Sequence, residues 1–216
     1  GVERHGAAAG DDGLGMSRPT LFGAAYSVYV RIVRLTLEEK GVPYDLVPVD
    51  VFAPDGLPAD YLARQPFGRI PAFEHDGFRL FETGAITRYV DEAFPGPRLQ
   101  PDRARDRARV NQVIGILDNY AYRTLVWDIY VERVSVPAKG RPSDEARIAA
   151  ALPRARLCLD ALADLMAGGP WLAGALPTLA DLHALPMFAY FLKAPEGRAL
   201  IAGCPPLDAW WTRVAA

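Results

Sequence analysis

The sequence predicts an α/β domain followed by an all-helical domain. Residues 18–94 alternate short apolar runs with helix-like stretches in the order βαβαββα, which is typical of a small mixed sheet covered by helices. Strand signals stop at residues 95–102, which are rich in proline and glycine and which we interpret as a linker. Residues 103–216 carry only helical patterns. Residues 1–17 carry neither pattern, and we interpret them as a flexible N-terminal tail.

The elements of the first domain follow from local patterns. A strand at 20–23 precedes a helix over Ser27 to Lys40, in which apolar residues recur at helical spacing before Gly41 ends it. The remaining expected elements are a strand in "YDLVPVDV", a short helix in "PADYLAR", a hairpin around Asp76–Gly77 and a helix over Thr83 to Phe94.

The second domain is expected to begin with a long helix over Arg103 to Val134. Steps of four and three place one set of residues on a single buried face: Val113, Leu117, Tyr120, Thr124, Trp127, Val131 and Val134. A second long helix follows, broken or kinked around Pro153 and closed by Gly168–Gly169. Thr178 and Asp181 have the spacing of a capping box, which predicts the start of another helix.

The composition disfavours several classes of function. The 216 residues include 24 basic and 26 acidic side chains, so the formal charge of -2 gives no electrostatic case for a nucleic acid or membrane partner. Cys158 and Cys204 are far apart and show no metal-binding spacing, so we expect neither a metal site nor a disulfide, and we expect a cytoplasmic protein. No apolar run reaches the ~18 residues of a membrane span.

Pro71 lies at the start of a predicted strand, directly after Ile70. Proline cannot donate to a strand ladder, so it is tolerated at the first position or the edge of a strand, and the cis form suits a tight entry. A cis bond would leave the backbone of Ile70 exposed, where it could pair with an extended, peptide-like ligand. The alternative is a plain edge-strand proline.

Three polar residues lie at predicted helix starts, where free backbone N–H groups favour negative charge. Glu82 and Thr83 together suit a zwitterionic amino-acid group: the threonine and the helix end would hold its carboxylate, and the glutamate would face its ammonium group. Ser27 could donate a hydrogen bond to a thiolate at the start of the first helix. Thr83 and Ser27 can equally be simple N-caps. Arg31, one turn after Ser27, could add positive potential there or pair with an acid.

Four stretches of this sequence resemble the cytosolic glutathione transferases. The resemblance is closest to the phi class and to related bacterial proteins that have a serine at the position of Ser27. They are "LFGAAYSVYVRIVRLTLEEKGVPYDLVPVD", "QPFGRIPAF", "FETGAITRYVDEAF" and "WLAGALPTLADLHALP", and they occur in the order and at the spacing of that family. The resemblance extends from about Thr20 to Trp210. It implies a thioredoxin-like N-terminal domain, an all-helical C-terminal domain, a homodimer and glutathione as co-substrate.

The resemblance also implies roles for single residues. Ser27 would hydrogen-bond the glutathione sulfur, and the backbone of Ile70, before Pro71, would pair with the cysteinyl moiety. Glu82 and Thr83 would hold the γ-glutamyl group, with threonine in place of the commoner serine.

The glycine carboxylate of glutathione is the part for which the sequence departs from the family. The segment "APDGLPADYLAR" has no lysine or histidine, whereas phi-class proteins often have basic or polar residues there. Arg69, where glutamine is common, is the candidate that takes over this contact. Phe52 is a candidate dimer-interface aromatic in the same loop.

The expected reaction is conjugation of the glutathione thiolate to a hydrophobic electrophile, a detoxification chemistry. The thiolate is the nucleophile, and Ser27 serves as a hydrogen-bond donor because no His–Asp pair is spaced to activate it as a nucleophile. Tyr26 and Tyr29 are the alternative donors. The candidate residues of the electrophile pocket lie on the long helix: Tyr120, Tyr122, Trp127 and Tyr130.

Two other functions remain open. A glutathione-dependent peroxidase or disulfide reductase would use the same thiolate on an O–O or S–S bond. A non-catalytic binding protein with this fold is the third hypothesis, since fold alone does not fix function. The absence of a cysteine near Ser27 disfavours chemistry through a mixed disulfide with the protein.

Overall fold

The computed structural model describes residues 17–215, so the predicted N-terminal tail lies outside the described residues except for Ser17. The first unit has the predicted order βαβαββα. Its elements are β1 (Thr20–Phe22), α1 (Val28–Glu39), β2 (Asp45–Val47), α2 (Ala59–Leu62), β3 (Ala72–His75), β4 (Phe78–Phe81) and α3 (Thr83–Ala93).

The four strands form one mixed sheet in the order β2-β1-β3-β4. Strand β1 is parallel to β2 and antiparallel to β3, and β3 forms the predicted hairpin with β4. Asp76 and Gly77 in the hairpin turn both have positive φ, the conformation that a tight two-residue turn requires. The expected thioredoxin-like arrangement is therefore confirmed.

Helix α1 connects the two cores of the molecule. Val30, Val33 and Leu37 pack into the core of the sheet unit, whereas Val28 and Ile32 belong to the core of the helical unit. All five side chains are buried. The start of α1 therefore lies at the junction of the two units.

The second unit is helical throughout its described part. Helix α4 (Ala104–Ile116) continues directly into a π-helical segment (Leu117–Ser135). The remaining helices are α5 (Val136–Ala138), α6 (Glu145–Met166), α7 (Leu179–Phe191), α8 (Pro195–Ala202) and α9 (Pro205–Val214). The long helix and the capping box of α7, with Thr178 and Asp181 bonded reciprocally, are as predicted.

The predicted buried face of the long helix is partly wrong. Val113, Leu117 and Thr124 are buried, but Tyr120 is 64% exposed. Trp127, Val131 and Val134 are half-buried. In the π segment a turn contains more residues than in an α-helix, because each hydrogen bond reaches one residue further. The apolar residues there that are fully buried recur every four residues, at Leu117, Ala121, Leu125 and Ile129.

Helix α6 is continuous through Pro153, so the predicted break is wrong. Proline lacks the N–H that would bond the carbonyl of Ala149, but both residues are exposed, so water can satisfy that carbonyl. The helix ends at Met166, followed by Ala167 and Gly168 with positive φ, close to the predicted Gly168–Gly169. Within residues 17–215, no helix is long and apolar enough to cross a membrane.

Candidate functional site

Ser27 is the N-cap of α1, as the sequence indicated. Its backbone is extended, with φ -68° and ψ 129°, and its Oγ accepts a 3.4 Å hydrogen bond from the N–H of Val30. Among the described residues, no side chain or carbonyl accepts the hydroxyl proton of Ser27. A half-buried hydroxyl at a helix N-terminus can therefore donate to an anion placed before the helix.

The two neighbouring tyrosines, Tyr26 and Tyr29, each lie near a carboxylate. The Tyr26 hydroxyl donates to Oδ1 of Asp50 at 2.8 Å, and burial together with this hydrogen bond raises the pKa of Tyr26 to about 12. Burial raises the pKa of Tyr29 further, and the charges of Asp118 and Glu82 add to the increase. The hydroxyl of Tyr26 is therefore engaged by Asp50, and the acids beside Tyr29 disfavour its ionised form.

The Ile70–Pro71 peptide bond is cis, as the sequence suggested, and it directly precedes β3. The carbonyl of Arg69 accepts a 2.6 Å hydrogen bond from the hydroxyl of the buried Tyr61, which fixes the chain before the bond. Gly23 lies close by: a Cβ atom there would lie 2.4 Å from Val30 and 3.4 Å from the Cβ of Ile70. Ile70 therefore lies beside the loop that leads into Ser27.

Glu82 and Thr83 form the start of α3. The N-cap position is Glu82, with φ 72° and ψ 112°, and Thr83 is the first helical residue rather than the cap. The carboxylate of Glu82 is exposed and has no hydrogen-bond partner within residues 17–215, although its charge acts on Tyr29. The charge of Glu82 at the start of α3 is therefore felt by Tyr29 in the first turn of α1.

Arg69 is exposed, and its charge acts on Tyr122 in the π segment. Burial raises the pKa of Tyr122 in the π segment, whereas a hydrogen bond from Trp127 and the charge of Arg69 oppose that increase. In the described part of the chain, the guanidinium of Arg69 makes no ion pair. It is thus an exposed cation near Tyr122 without an ion-pair partner among residues 17–215.

The four candidate pocket residues differ in their surroundings. The ring of Tyr122 packs edge-on against Tyr29 at 4.7 Å, and the ring of Tyr130 stacks on Tyr190 at 4.6 Å. Trp127 is half-buried, and Tyr120 is largely exposed. Tyr122 and Tyr130 thus contact aromatic residues of α1 and α7 beside the start of α1.

Comparisons with known proteins agree with this geometry. Residues 21–98 match the family model of the glutathione S-transferase N-terminal domain, and residues 126–216 match that of the C-terminal domain. The chain belongs to the glutathione S-transferase family. The transferase lies close in sequence to plant phi-class proteins, as the sequence motifs predicted.

Individual relatives cover almost the whole of this transferase. Glutathione S-transferase F10 of Arabidopsis thaliana is 32% identical over 199 residues, 91% of each chain. The crystal structure of glutathione transferase F7 from Populus trichocarpa has a TM-score of 0.81 at 31% identity and covers 92% of this chain and 93% of its own. A glutathione S-transferase I structure with bound lactoylglutathione has a TM-score of 0.82 at 25% identity, covering 92% and 94%.

The sequence did not reveal the residues of the transferase that hold the loop before Ser27. Nε of Arg31 donates to the carbonyl of Ala25 at 2.9 Å, and the hydroxyl of Tyr190 donates to the carbonyl of Tyr26 at 2.6 Å. The sequence indicates Arg31 only as a source of positive potential or as an ion-pair partner. Tyr190 lies 164 residues from Tyr26 in the chain, so no local pattern could connect them.

A buried imidazole lies near the same junction. Nε2 of His183 on α7 is 2.7 Å from Oδ1 of Asp118, and its ring lies 6.2 Å from that of Tyr29. His183 reads in the sequence as one of several residues in an apolar helix, without a motif. Among residues 17–215, no group of three or more His, Cys, Asp or Glu residues could hold a metal ion.

Proposed function

We propose that this transferase conjugates glutathione to hydrophobic electrophiles and that Ser27 stabilises the reacting thiolate. The observation that carries the proposal is the hydroxyl of Ser27 at the N-terminus of α1, without an acceptor among the described residues. Its hydrogen bond and the positive helix end both favour the charged sulfur, so they lower the thiol pKa. The thiolate then attacks an electrophilic carbon, a C–S bond forms and the leaving group departs.

Glutathione binding would use three places around Ser27. The backbone of Ile70 before Pro71 would pair with the cysteinyl moiety, in the manner of an added strand. Thr83 and the start of α3 would hold the γ-glutamyl carboxylate, and the exposed carboxylate of Glu82 would face its ammonium group. Arg69 would bind the glycine carboxylate. The bound lactoylglutathione of the solved relative supports a glutathione ligand for this fold.

The electrophile would bind between Ser27 and the π segment. Tyr122 and Tyr130 are the stronger candidates for the walls of this pocket, because both lie beside residues of α1 or α7 near Ser27. Trp127 lies beside Tyr122 and would support that wall, and Tyr120 would lie at its solvent edge. Cys158 and Cys204 are buried, which argues against a protein thiol as the reacting group.

The test is conjugation of glutathione to an activated aryl halide, measured for the native protein and two variants. Ser27→Ala should lose about 100-fold in kcat/KM, the usual cost of removing one hydrogen bond to a developing or reacting anion, while glutathione still binds. Tyr26→Phe should retain activity within about twofold, because its hydroxyl is bonded to Asp50. Full activity of Ser27→Ala, or loss in Tyr26→Phe alone, would contradict the assignment.

We further propose that the transferase is a cytoplasmic homodimer. The two buried free cysteines suit a reducing compartment. Phe52 is 65% exposed and stacks on Tyr26, so it offers an aromatic surface for a second copy. Sedimentation should show a dimer for the native chain and a shift toward monomer for Phe52→Asp. A monomeric native chain would refute the dimer, and an undisturbed dimer in Phe52→Asp would remove Phe52 from its interface.

A further inference from the structure

The loop before Ser27 is held by three hydrogen bonds to successive backbone carbonyls. The N–H of Ser27 donates to the carbonyl of Ala24 at 3.0 Å, Arg31 donates to that of Ala25, and Tyr190 donates to that of Tyr26. The bond from Tyr190 is the shortest of the three, at 2.6 Å. Tyr190 belongs to α7, so the helical unit holds a loop of the sheet unit.

The ring of Tyr190 is itself fixed by its neighbours. The guanidinium of Arg31 lies 4.9 Å from the ring centroid, the ring of Tyr130 stacks at 4.6 Å with an interplanar angle of 23°, and Nζ of Lys193 is 5.0 Å away. Tyr190 is only 9% exposed. Stacking between cations and aromatic rings stabilises this arrangement, so the hydroxyl has one direction in which to donate.

The carbonyl that Tyr190 holds belongs to the peptide bond between Tyr26 and Ser27. Because a peptide unit is planar, fixing this oxygen helps to fix the N–H and the Cα of Ser27, from which its side chain leaves the backbone. The side chains of Ala25 and Tyr26 are exposed, and that of Tyr26 contacts the loop residues Asp50 and Phe52, so Tyr190 is the contact that ties this carbonyl to the helical unit. A hydrogen-bond donor loses catalytic value when it is displaced by small distances, because stabilisation of a reacting anion depends on preorganised geometry.

We propose that Tyr190 is a positioning residue for Ser27: its hydroxyl, bonded to the carbonyl of Tyr26, aims the Ser27 hydroxyl at the glutathione sulfur. This inference rests on the proposed role of Ser27. It assigns the helical unit a part in activating glutathione, in addition to forming the electrophile pocket.

The test removes only the hydroxyl of Tyr190. In Tyr190→Phe, the ultraviolet transition of bound glutathione thiolate should move upward in pH by about half a unit or more, and kcat should fall about fivefold, the usual effect of one hydrogen bond. KM for glutathione should stay within about twofold, because the groups that bind the peptide are intact. Tyr44→Phe is the matched control, because its hydroxyl bonds Arg34 and Glu38 within the sheet unit.

Arg31→Lys gives an independent readout if Tyr190→Phe does not fold. It keeps a cation near the ring but loses the Nε donor to Ala25, so the thiolate transition should again move upward. An unchanged thiolate transition in a folded Tyr190→Phe would overturn the inference, as would a shift of the same size in Tyr44→Phe. Titration of Ser27→Ala in parallel distinguishes a failure of the Tyr190 inference from a failure of the proposed function. If Ser27→Ala leaves the thiolate transition unchanged, the proposed role of Ser27 fails as well.

Discussion

Ser27, Tyr26 and Tyr29 each place a hydroxyl near the start of α1, and they differ in what that hydroxyl already contacts. Tyr26 donates to Asp50, and the charge of Asp118 lies beside Tyr29. Both tyrosine pKa values are raised, so these hydroxyls are poorer donors than ordinary phenols. Ser27 only accepts a long hydrogen bond from Val30 and keeps its proton available.

Arg69 is the residue on which glutathione affinity should depend most. No lysine or histidine occurs in "APDGLPADYLAR", and no ion pair within residues 17–215 engages the guanidinium of Arg69. Arg69→Gln should therefore raise KM for glutathione about tenfold, the value of a charge-assisted hydrogen bond, with kcat nearly unchanged. Steady-state kinetics at varied glutathione concentration measures both.

The matched control for Arg69 is Arg98→Gln. Arg98 is an exposed arginine that pairs with Asp102 in the predicted linker and has no proposed role in glutathione binding. The KM of Arg98→Gln for glutathione should equal that of the native protein. An unchanged KM in Arg69→Gln would show that the glycine carboxylate is held elsewhere or left in water.

At this scale the sequence predicts caps well and distant contacts poorly. Ser27 and Thr178 are N-caps as predicted, because a cap depends on residues within one turn. Thr83 is the first helical residue instead, since the positive φ of Glu82 sets the boundary one residue earlier. The bond from Tyr190 to Tyr26 depends on how α7 packs against α1, which no local pattern encodes.

The π segment is the element for which the helical period of the sequence predicts the wrong buried face. The sequence predicts the existence and the extent of the long helix, but the 3.6-residue period places Tyr120 on the buried face. The structure places Tyr120 in solvent and Leu125 and Ile129 in the core. The change in helix type depends on packing against α6 and α7, so the local sequence does not indicate it.

Asp181 caps the start of α7 and anchors it to two other parts of the helical unit. Its carboxylate accepts hydrogen bonds from the N–H groups of Thr178 and Leu172 and from the indole of Trp210. Asp181→Ala should lower the free energy of unfolding by about 3 kcal/mol, because several buried donors lose their acceptor. Urea unfolding of this variant measures the loss.

Asp208→Ala is the control for Asp181. Asp208 lies in the first turn of α9 and is exposed, so its loss should cost less than about 1 kcal/mol. Equal destabilisation of the two variants would mean that the capping network of Asp181 contributes no more than a surface helix-end charge.

On the scale of the whole molecule, a buried ion pair joins the sheet unit to the segment after it. Nζ of Lys40 lies 3.2 Å from Oδ1 of Asp91 and donates to the carbonyl of Pro97 at 3.0 Å. Asp91 also accepts from the N–H of Leu99. The segment predicted as an exposed linker is thus fixed at its centre.

Removing the charge of Lys40 should destabilise the protein strongly. Lys40→Met leaves the buried carboxylate of Asp91 without its cation, which usually costs about 3–5 kcal/mol. Arg18→Met removes an exposed ion pair with Asp45 and should cost less than about 1 kcal/mol. Chemical unfolding measures the stability of both variants, and similar stabilities would show that the buried pair does not hold the segment around Pro97 to the sheet unit.

The order of elements and the mixed sheet were predictable because they rest on local hydrophobic patterns and turn residues. The docking of the two units was not, because one helix takes part in both cores: α1 presents Val28 and Ile32 to one core and Val30, Val33 and Leu37 to the other. In the sequence these residues form one apolar pattern, which indicates a buried helix but not its two partners. The domain boundary at residues 95–102 stays a prediction.

The central claim is that the start of α1 lowers the pKa of bound glutathione, and the ultraviolet absorbance of the thiolate across pH tests it directly. We expect the transition of bound glutathione at least one pH unit below the ~8.5 of a free thiol, and we expect Ser27→Ala to move it back toward that value. Binding without a lowered transition, or a lowered transition that survives in Ser27→Ala, would contradict the account.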